Sequence, residues 1–127
     1  MFNNIKKAQL PARSVTKLCF EETVADPVLW DIDSPNLYTL KVNTADDEYN
    51  VFFGFRDLRF DPDTGFWING RNIKLKGVCG HGDCGLTGRA VPDSMYRYKA
   101  QLIKDMGANA YRCSHYPQAE YWMDEMD

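Results

Sequence analysis

The chain has 127 residues, of which 44% are hydrophobic and 26% charged, a composition typical of a globular protein. Its net charge of -3, without a basic cluster, gives no electrostatic support for a nucleic-acid partner. No apolar run approaches the ~20 residues of a membrane-spanning helix, so we expect no membrane span. The four cysteines lack the spacing of a disulfide scaffold, and we interpret them as thiols in a reducing, cytoplasmic compartment.

Residues 1–60 have the pattern of β structure. Residues 15–22 are rich in β-forming side chains and predict a first strand, and a turn cluster follows at residues 33–36. Polar and apolar side chains alternate over residues 37–42 and again over residues 49–55, which predicts strands with one strongly buried face. Three or four such strands indicate part of a β-sandwich, because a complete sandwich has about seven.

The pattern changes after the turn-rich residues 61–65. Asn69-Gly70 lies between Phe66-Trp67-Ile68 and Arg71-Asn72-Ile73 and predicts a hairpin, because both residues tolerate the positive φ angles of a type I′ turn. A short strand is predicted at residues 74–78, followed by a glycine-containing loop over residues 79–93.

A helix is predicted to begin at Asp93 or Ser94 as its cap and to end at Gly107. We expect its buried face to carry the apolar residues that fall at helical spacing, which are Met95, Tyr98, Leu102, Ile103 and Met106. A strand at residues 109–112 and a second helix at residues 118–126 complete a βαβα order, which implies a parallel sheet.

Four polar residues follow the two predicted parallel strands: His81 and Asp83 after the first, Arg112 and His115 at the end of the second. Because parallel strands end at the same edge of a sheet, all four can converge on one pocket. Arginine there could hold a carboxylate, and histidine could hydrogen-bond hydroxyl groups. Purely structural roles explain the spacing equally well. In that interpretation Arg112 forms a buried ion pair, His115 caps the next helix and His81 is a solvated loop residue.

The glycine-containing loop has features of two further kinds of site. Cys79, His81, Asp83 and Cys84 superficially suggest a metal site, but the spacing is not that of a zinc ribbon and no second ligand pair follows. The loop also lacks the spacing of a phosphate-binding loop. We therefore expect neither a metal nor a cofactor.

Near its end the chain reads Asn109-Ala-Tyr-Arg112, Cys-Ser-His115 and Tyr-Pro117, followed by Trp122-Met123 and Asp127. This segment resembles a signature of glycoside hydrolase family 2. That family includes β-galactosidases, β-glucuronidases and β-mannosidases. Further landmarks follow in the expected order, namely Leu29-Trp30, Ser34 to Leu40, Gly54-Phe55-Arg56, Gly65 to Gly70, Leu75 to Val78, and Lys104 to Asn109.

The resemblance implies a mixed fold. Residues 1–60 would be part of an antiparallel immunoglobulin-like β-sandwich, and residues 61–127 would be the first βαβα units of a (β/α)8 barrel. The family consists of retaining glycosidases with two glutamates about 5–5.5 Å apart. Both would lie beyond Asp127, and neither Glu120 nor Glu125 matches their motifs. We therefore expect no catalytic residue here and no activity from this chain alone.

By the same resemblance, Arg112 would keep the nucleophilic carboxylate ionised, and His115, His81 and Asp83 would line the sugar pocket. Cys79-Gly80 departs from the Asn and basic residue that many β-galactosidases have there, so specificity does not transfer from this loop. The implied partners are a β-glycoside substrate and the remainder of the parent enzyme. Assembly into a homo-oligomer is compatible with the resemblance. The alternative is a non-catalytic, β-rich carbohydrate- or ligand-binding module.

Overall fold

The structure, a computed structural model, describes residues 4–9 and 11–127. The elements of this part of the chain are β1 (Tyr38–Asn43), β2 (Glu48–Phe53), β3 (Leu58–Asp61), β4 (Gly65–Ile68), β5 (Arg71–Asn72), β6 (Gly77–Gly80), α1 (Asp93–Asp105), β7 (Ala110–Cys113) and α2 (Glu120–Asp124). The strands form three small sheets, β1-β2, β3-β4-β5 and β6-β7. Among the helices described, none has the length and apolarity that crossing a membrane requires.

Strands β1 and β2 form an antiparallel hairpin with one apolar face. The register pairs Tyr38 with Phe53, Leu40 with Val51 and Val42 with Tyr49, so these six side chains share that face. The predicted alternation is confirmed, but the expected strong burial is wrong. Leu40 is 51% and Tyr49 63% exposed. Phe55 packs only at the Tyr38–Phe53 end, with ring centroids at 5.3 and 5.5 Å.

The strand predicted at residues 15–22 is absent: this segment has no regular secondary structure. Val15 is 99% exposed and Leu18 46%. No strand among the described residues pairs with the segment, and β propensity reflects packing against neighbouring strands more than an intrinsic backbone preference.

The three-stranded sheet β3-β4-β5 is antiparallel throughout, and Ile68 at the end of β4 is buried. Asn69 and Gly70 have φ angles of 49° and 76°, the positive values that a type I′ turn requires, so the hairpin prediction is confirmed. The predicted domain boundary between residues 60 and 61 falls inside β3, whose residues all pair with β4.

The side chain of Asn69 connects this hairpin to two earlier segments of the chain. Its Nδ2 donates to the Trp30 carbonyl oxygen at 2.9 Å and to Asp31 Oδ2 at 3.2 Å. Its Oδ1 accepts from the Asp57 amide at 3.0 Å. One amide therefore satisfies three groups from two separate segments, which fixes the β4-β5 turn against both.

Asp31 carries the negative charge at this contact between the β4-β5 turn and the earlier segment. It accepts hydrogen bonds from Asn69 and Arg71, and Arg71 also contacts Asp33 at 3.1 Å. Burial raises the pKa of Asp31, but hydrogen bonds from the Asp33 amide, Asn69 and Arg71 outweigh it, so the pKa lies below its ordinary value.

Strands β6 and β7 pair in parallel, as predicted, with Gly77 opposite Ala110 and Gly80 opposite Cys113. Helix α1 follows β6 and helix α2 follows β7. The elements differ from the predicted ranges by a few residues: β6 begins three residues later than the predicted strand, and α2 is shorter than residues 118–126. The βαβα order therefore holds, with shifted boundaries.

Helix α1 ends as its sequence predicts but begins differently. Gly107 has φ 83°, its amide donates to Lys104 O, and the next amide donates to Ile103 O, which together form a Schellman C-cap. The predicted Asp93 or Ser94 cap is wrong. Pro92 occupies the N-cap, no side chain caps the helix, and the Pro92 carbonyl accepts from the Met95 amide at 2.9 Å.

The buried face of α1 also differs from the predicted one. Tyr96 is buried, whereas Tyr98 is 58% and Met106 67% exposed. Tyr96 packs on Trp122 of α2 at a centroid distance of 5.8 Å, and Trp122 packs on Tyr111 of β7 at 4.8 Å. The helix is apolar on two sides, and these aromatic contacts decide which side faces the sheet.

Candidate functional site

The chain's two histidines come together at the edge where β6 and β7 end. His81 directly follows β6, and Ser114 and His115 directly follow β7. The rings of His81 and His115 lie 5.9 Å apart in an edge-to-face arrangement. This proximity follows from the parallel pairing, because both strands run toward the same sheet edge.

The two faces of the β6-β7 pair have different neighbours. Tyr111 contacts Trp122 of α2, so the face that carries Tyr111 and its register partner Val78 is covered by the helices. Arg112 and its partner Cys79 lie on the opposite face and are exposed. The Arg112 guanidinium is therefore available on the face that the helices leave open.

Arg112 holds the start of the loop after β7. Its Nη1 donates to Ser114 Oγ at 3.1 Å, and its Nη2 lies 2.9 Å from His115 Nδ1. Ser114 is 4% exposed, and its amide donates to the Gly80 carbonyl oxygen at 3.0 Å. The peptide bond between Ser114 and His115 is cis.

The bond to Arg112 identifies the hydrogen-bonding state of His115. A guanidinium has five N–H donors and no acceptor, so His115 Nδ1 must accept. A ring whose Nδ1 accepts is neutral and carries its proton on Nε2. His115 is therefore presented as a hydrogen-bond donor.

His81 is held by a residue that sequence reasoning did not nominate, Tyr116. The Tyr116 hydroxyl lies 3.2 Å from His81 Nδ1 and 3.2 Å from the Gly82 amide. Lys99 of α1 donates to the His81 carbonyl oxygen at 3.1 Å. In the sequence, the Tyr116-Pro117 step after His115 was the feature that could have drawn attention to Tyr116. Its contact partner, His81, lies 35 positions earlier, and residue spacing does not reveal that contact. We call His81, Arg112, Ser114, His115 and Tyr116 the histidine cluster.

Asp83 does not join the histidine cluster. It borders a depression of about 200 Å³ next to α1, together with Cys84, Val91, Met95, Tyr96, Tyr98, Lys99 and Leu102. Its proposed contact with substrate stays a prediction. Over residues 4–9 and 11–127, no three His, Cys, Asp or Glu side chains assemble as metal ligands, so the alternative metal site in this loop has no geometric support.

Neither Glu120 in α2 nor Glu125, which directly follows it, contacts the histidine cluster. Glu125 accepts a hydrogen bond from Arg97 of α1 at 3.0 Å, which places it in the helical layer. Glu120 is exposed in the first turn of α2. That neither is a catalytic carboxylate stays a prediction.

Known proteins are similar to this chain in sequence and in fold. A putative β-glucuronidase of Formosa agariphila is 48% identical over 97 residues, which are 72% of this chain and 9% of that protein. A β-galactosidase of Thermoanaerobacterium thermosulfurigenes is 40% identical over 111 residues, 84% of this chain and 15% of that protein. The crystal structure of a β-glycosidase from Bacteroides vulgatus matches with a TM-score of 0.71 and 42% identity, covering 81% of this chain and 14% of that one.

The chain thus spans between 9% and 15% of the length of these proteins. Two family models match its sequence: residues 3–56 match "Glycosyl hydrolases family 2", and residues 62–127 match "Glycosyl hydrolases family 2, TIM barrel domain". The histidine cluster lies wholly within the second match. The chain belongs to glycosyl hydrolase family 2.

Proposed function

We propose that this chain forms the end of an immunoglobulin-like sandwich and the first two βα units of a (β/α)8 barrel in a retaining glycosidase. The parallel β6-β7 pair with helices on one face supports this assignment, because that arrangement is the repeating unit of such a barrel. The relatives named as β-galactosidase and β-glucuronidase make terminal β-galactosides and β-glucuronides the first substrates to test.

The observation that carries the proposal is the position of the histidine cluster. It lies at the carboxyl edge of parallel strands, where (β/α)8 barrels bind their substrates. Neutral His115 offers an N–H donor to a sugar hydroxyl, and Arg112 offers positive charge on the face that would become the barrel interior. In our proposal Arg112 orients and ionises the nucleophilic carboxylate, which another segment of the enzyme supplies.

The proposal is tested with the product of the complete open reading frame that encodes this chain. We expect it to hydrolyse at least one p-nitrophenyl β-glycoside from a set of galactoside, glucuronide and mannoside, with retention of anomeric configuration. Failure on the whole set would refute the proposal. Binding of these sugars without hydrolysis would instead favour the alternative of a non-catalytic module.

Substitution of Arg112 tests its assigned role. Arg112→Lys keeps the charge but loses the planar fork that reaches Ser114 and His115 together, so we expect kcat/KM to fall at least tenfold. Arg59→Lys, in β3, is the matched control and should keep the wild-type rate. An Arg112→Lys enzyme as active as the control would remove Arg112 from the mechanism.

The chain by itself should hydrolyse none of these substrates, because Glu125 is paired with Arg97 and neither it nor Glu120 contacts the histidine cluster. Turnover above a buffer blank that Glu120→Gln or Glu125→Gln abolishes would contradict this expectation.

A further inference from the structure

The Tyr116 hydroxyl contacts two successive residues of the loop that follows β6. His81 Nδ1 and the Gly82 amide both lie 3.2 Å from it. A hydroxyl has one proton to donate and two lone pairs to accept with. The Gly82 N–H can only donate, so it occupies a lone pair of the Tyr116 oxygen. The single hydroxyl proton is then available for His81 Nδ1.

This assignment determines the state of the His81 ring. If Nδ1 accepts the Tyr116 proton, the neutral ring carries its own proton on Nε2. His115 has the same tautomer for a different reason, because its Nδ1 accepts from Arg112. The two rings, with centroids 5.9 Å apart, would both present Nε2–H donors.

The loop is restrained around this contact from two further sides. Lys99 donates to the His81 carbonyl oxygen at 3.1 Å. At Gly82, an added Cβ would lie 2.8 Å from Gln118 Oε1, so the backbone there lies against the Gln118 side chain. The Arg89 guanidinium lies 4.6 Å from the centroid of the Tyr116 ring and packs on it. Tyr116 is thus well placed to set the orientation of His81.

We propose that Tyr116 is a positioning residue, which holds His81 as the neutral Nε2–H tautomer so that this ring donates a hydrogen bond to an acceptor oxygen of the ligand. The identity of that oxygen as a glycoside hydroxyl rests on the proposed function. The proposed tautomer itself does not, because it is inferred only from contacts within this chain.

The tautomer is measured by long-range ¹H–¹⁵N correlation spectra of the complete enzyme labelled with ¹⁵N-histidine, in which the His81 and His115 signals are assigned by their loss in His81→Ala and His115→Ala, at about pH 8, where histidine is ordinarily neutral. In the wild type both rings should show the Nε2–H pattern. In Tyr116→Phe the His81 ring should change to a mixture of tautomers, while the His115 ring, held by Arg112, should not change. Tyr98→Phe removes a hydroxyl from an exposed residue of α1 and should alter neither ring.

Three results would overturn the proposal. A wild-type His81 that carries its proton on Nδ1 contradicts the assignment without the need for any variant. A His81 pattern unchanged in Tyr116→Phe shows that the hydroxyl does not determine the tautomer. Equal changes at His81 and His115 in that variant show that Tyr116 maintains the loop fold and does not act through His81.

The second measurement also uses the complete enzyme. Tyr116→Phe should lower kcat/KM about three- to tenfold, the range expected for one lost hydrogen bond. If Tyr116 acts through His81, the Tyr116→Phe/His81→Ala double variant should be no slower than His81→Ala. Additive losses would overturn the positioning role. If the ring spectra behave as expected but the complete enzyme hydrolyses no glycoside, the proposed function fails while the positioning role stands.

Discussion

The apolar face of the β1-β2 hairpin leads to a prediction about association. The chain exposes 10613 Å² of surface, whereas a compact monomer of 14.6 kDa exposes about 6,900 Å². The excess of about 3,700 Å² is several times the roughly 800 Å² that each partner buries in a standard protein interface. We therefore expect the purified chain to self-associate and to unfold without a sharp transition.

Replacing two residues of that face, in Leu40→Lys/Val42→Lys, should weaken the association. The two side chains are 51% and 47% exposed, so about half of each remains to be buried by a partner. Full burial of such side chains contributes roughly 1.5–3 kcal/mol each, so the pair should lose about 1.5–3 kcal/mol of attraction. That corresponds to an association constant about 10- to 150-fold smaller.

The assay is size-exclusion chromatography with light scattering over a series of protein concentrations. Thr39→Lys/Asn43→Lys adds the same charge to the opposite face of the same strand and is the matched control. A wild-type chain that is a monodisperse monomer with a sharp thermal transition would refute the reasoning. Equal improvement by both double variants would show that net charge, and not the apolar face, governs association.

Three further predictions concern the interior and the contact of Asp31 with the β4-β5 turn. Trp122→Ala should lower the free energy of unfolding by about 3–5 kcal/mol and abolish hydrogen-exchange protection in β7. Met123→Ala, at a position 41% exposed on the same helix, should leave that protection intact, and equal loss in both variants would contradict the packing described. Gly80→Ala should also reduce that protection, because its Cβ would lie 2.9 Å from Tyr111 Cζ and closer still to the hydroxyl; unchanged protection would mean that the ring moves aside without cost. Asp31, with its pKa below the ordinary 3.8, should contribute stability that is fully present above that value and is lost as the pH falls through the lowered pKa; a carboxyl NMR titration with a midpoint at or above 3.8 would contradict this.

Local chemistry made several elements predictable from the sequence. Asn69-Gly70 predicted its turn because few other residue pairs adopt two positive φ angles without strain, and Gly107 predicted the end of α1 for a similar reason. The order of strands and helices implied the parallel β6-β7 pair, and with it the approach of His81 and His115.

The features that the sequence predicted wrongly or did not reveal all depend on contacts between residues that are distant in sequence. The segment at residues 15–22 has β-forming residues but no partner strand among the described residues. Periodicity placed Tyr98 in the core because α1 is apolar on two sides, and only packing against Trp122 selects Tyr96 instead. Tyr116 was overlooked because its role depends on a contact with His81, whose loop approaches it only in the folded chain.

Lys99 has a consequence for how the site could diversify. Its ammonium group lies 5.6 Å from the ring centroids of both Tyr111 and Trp122, and it also donates to the His81 carbonyl oxygen. A substitution that repacks these rings would therefore shift the lysine and, with it, the backbone of His81. Under the proposed function, natural variation at interior positions of the helical layer would change ligand preference while every residue of the histidine cluster stays the same. Directed-evolution libraries for altered specificity should accordingly include the aromatic neighbours of Lys99.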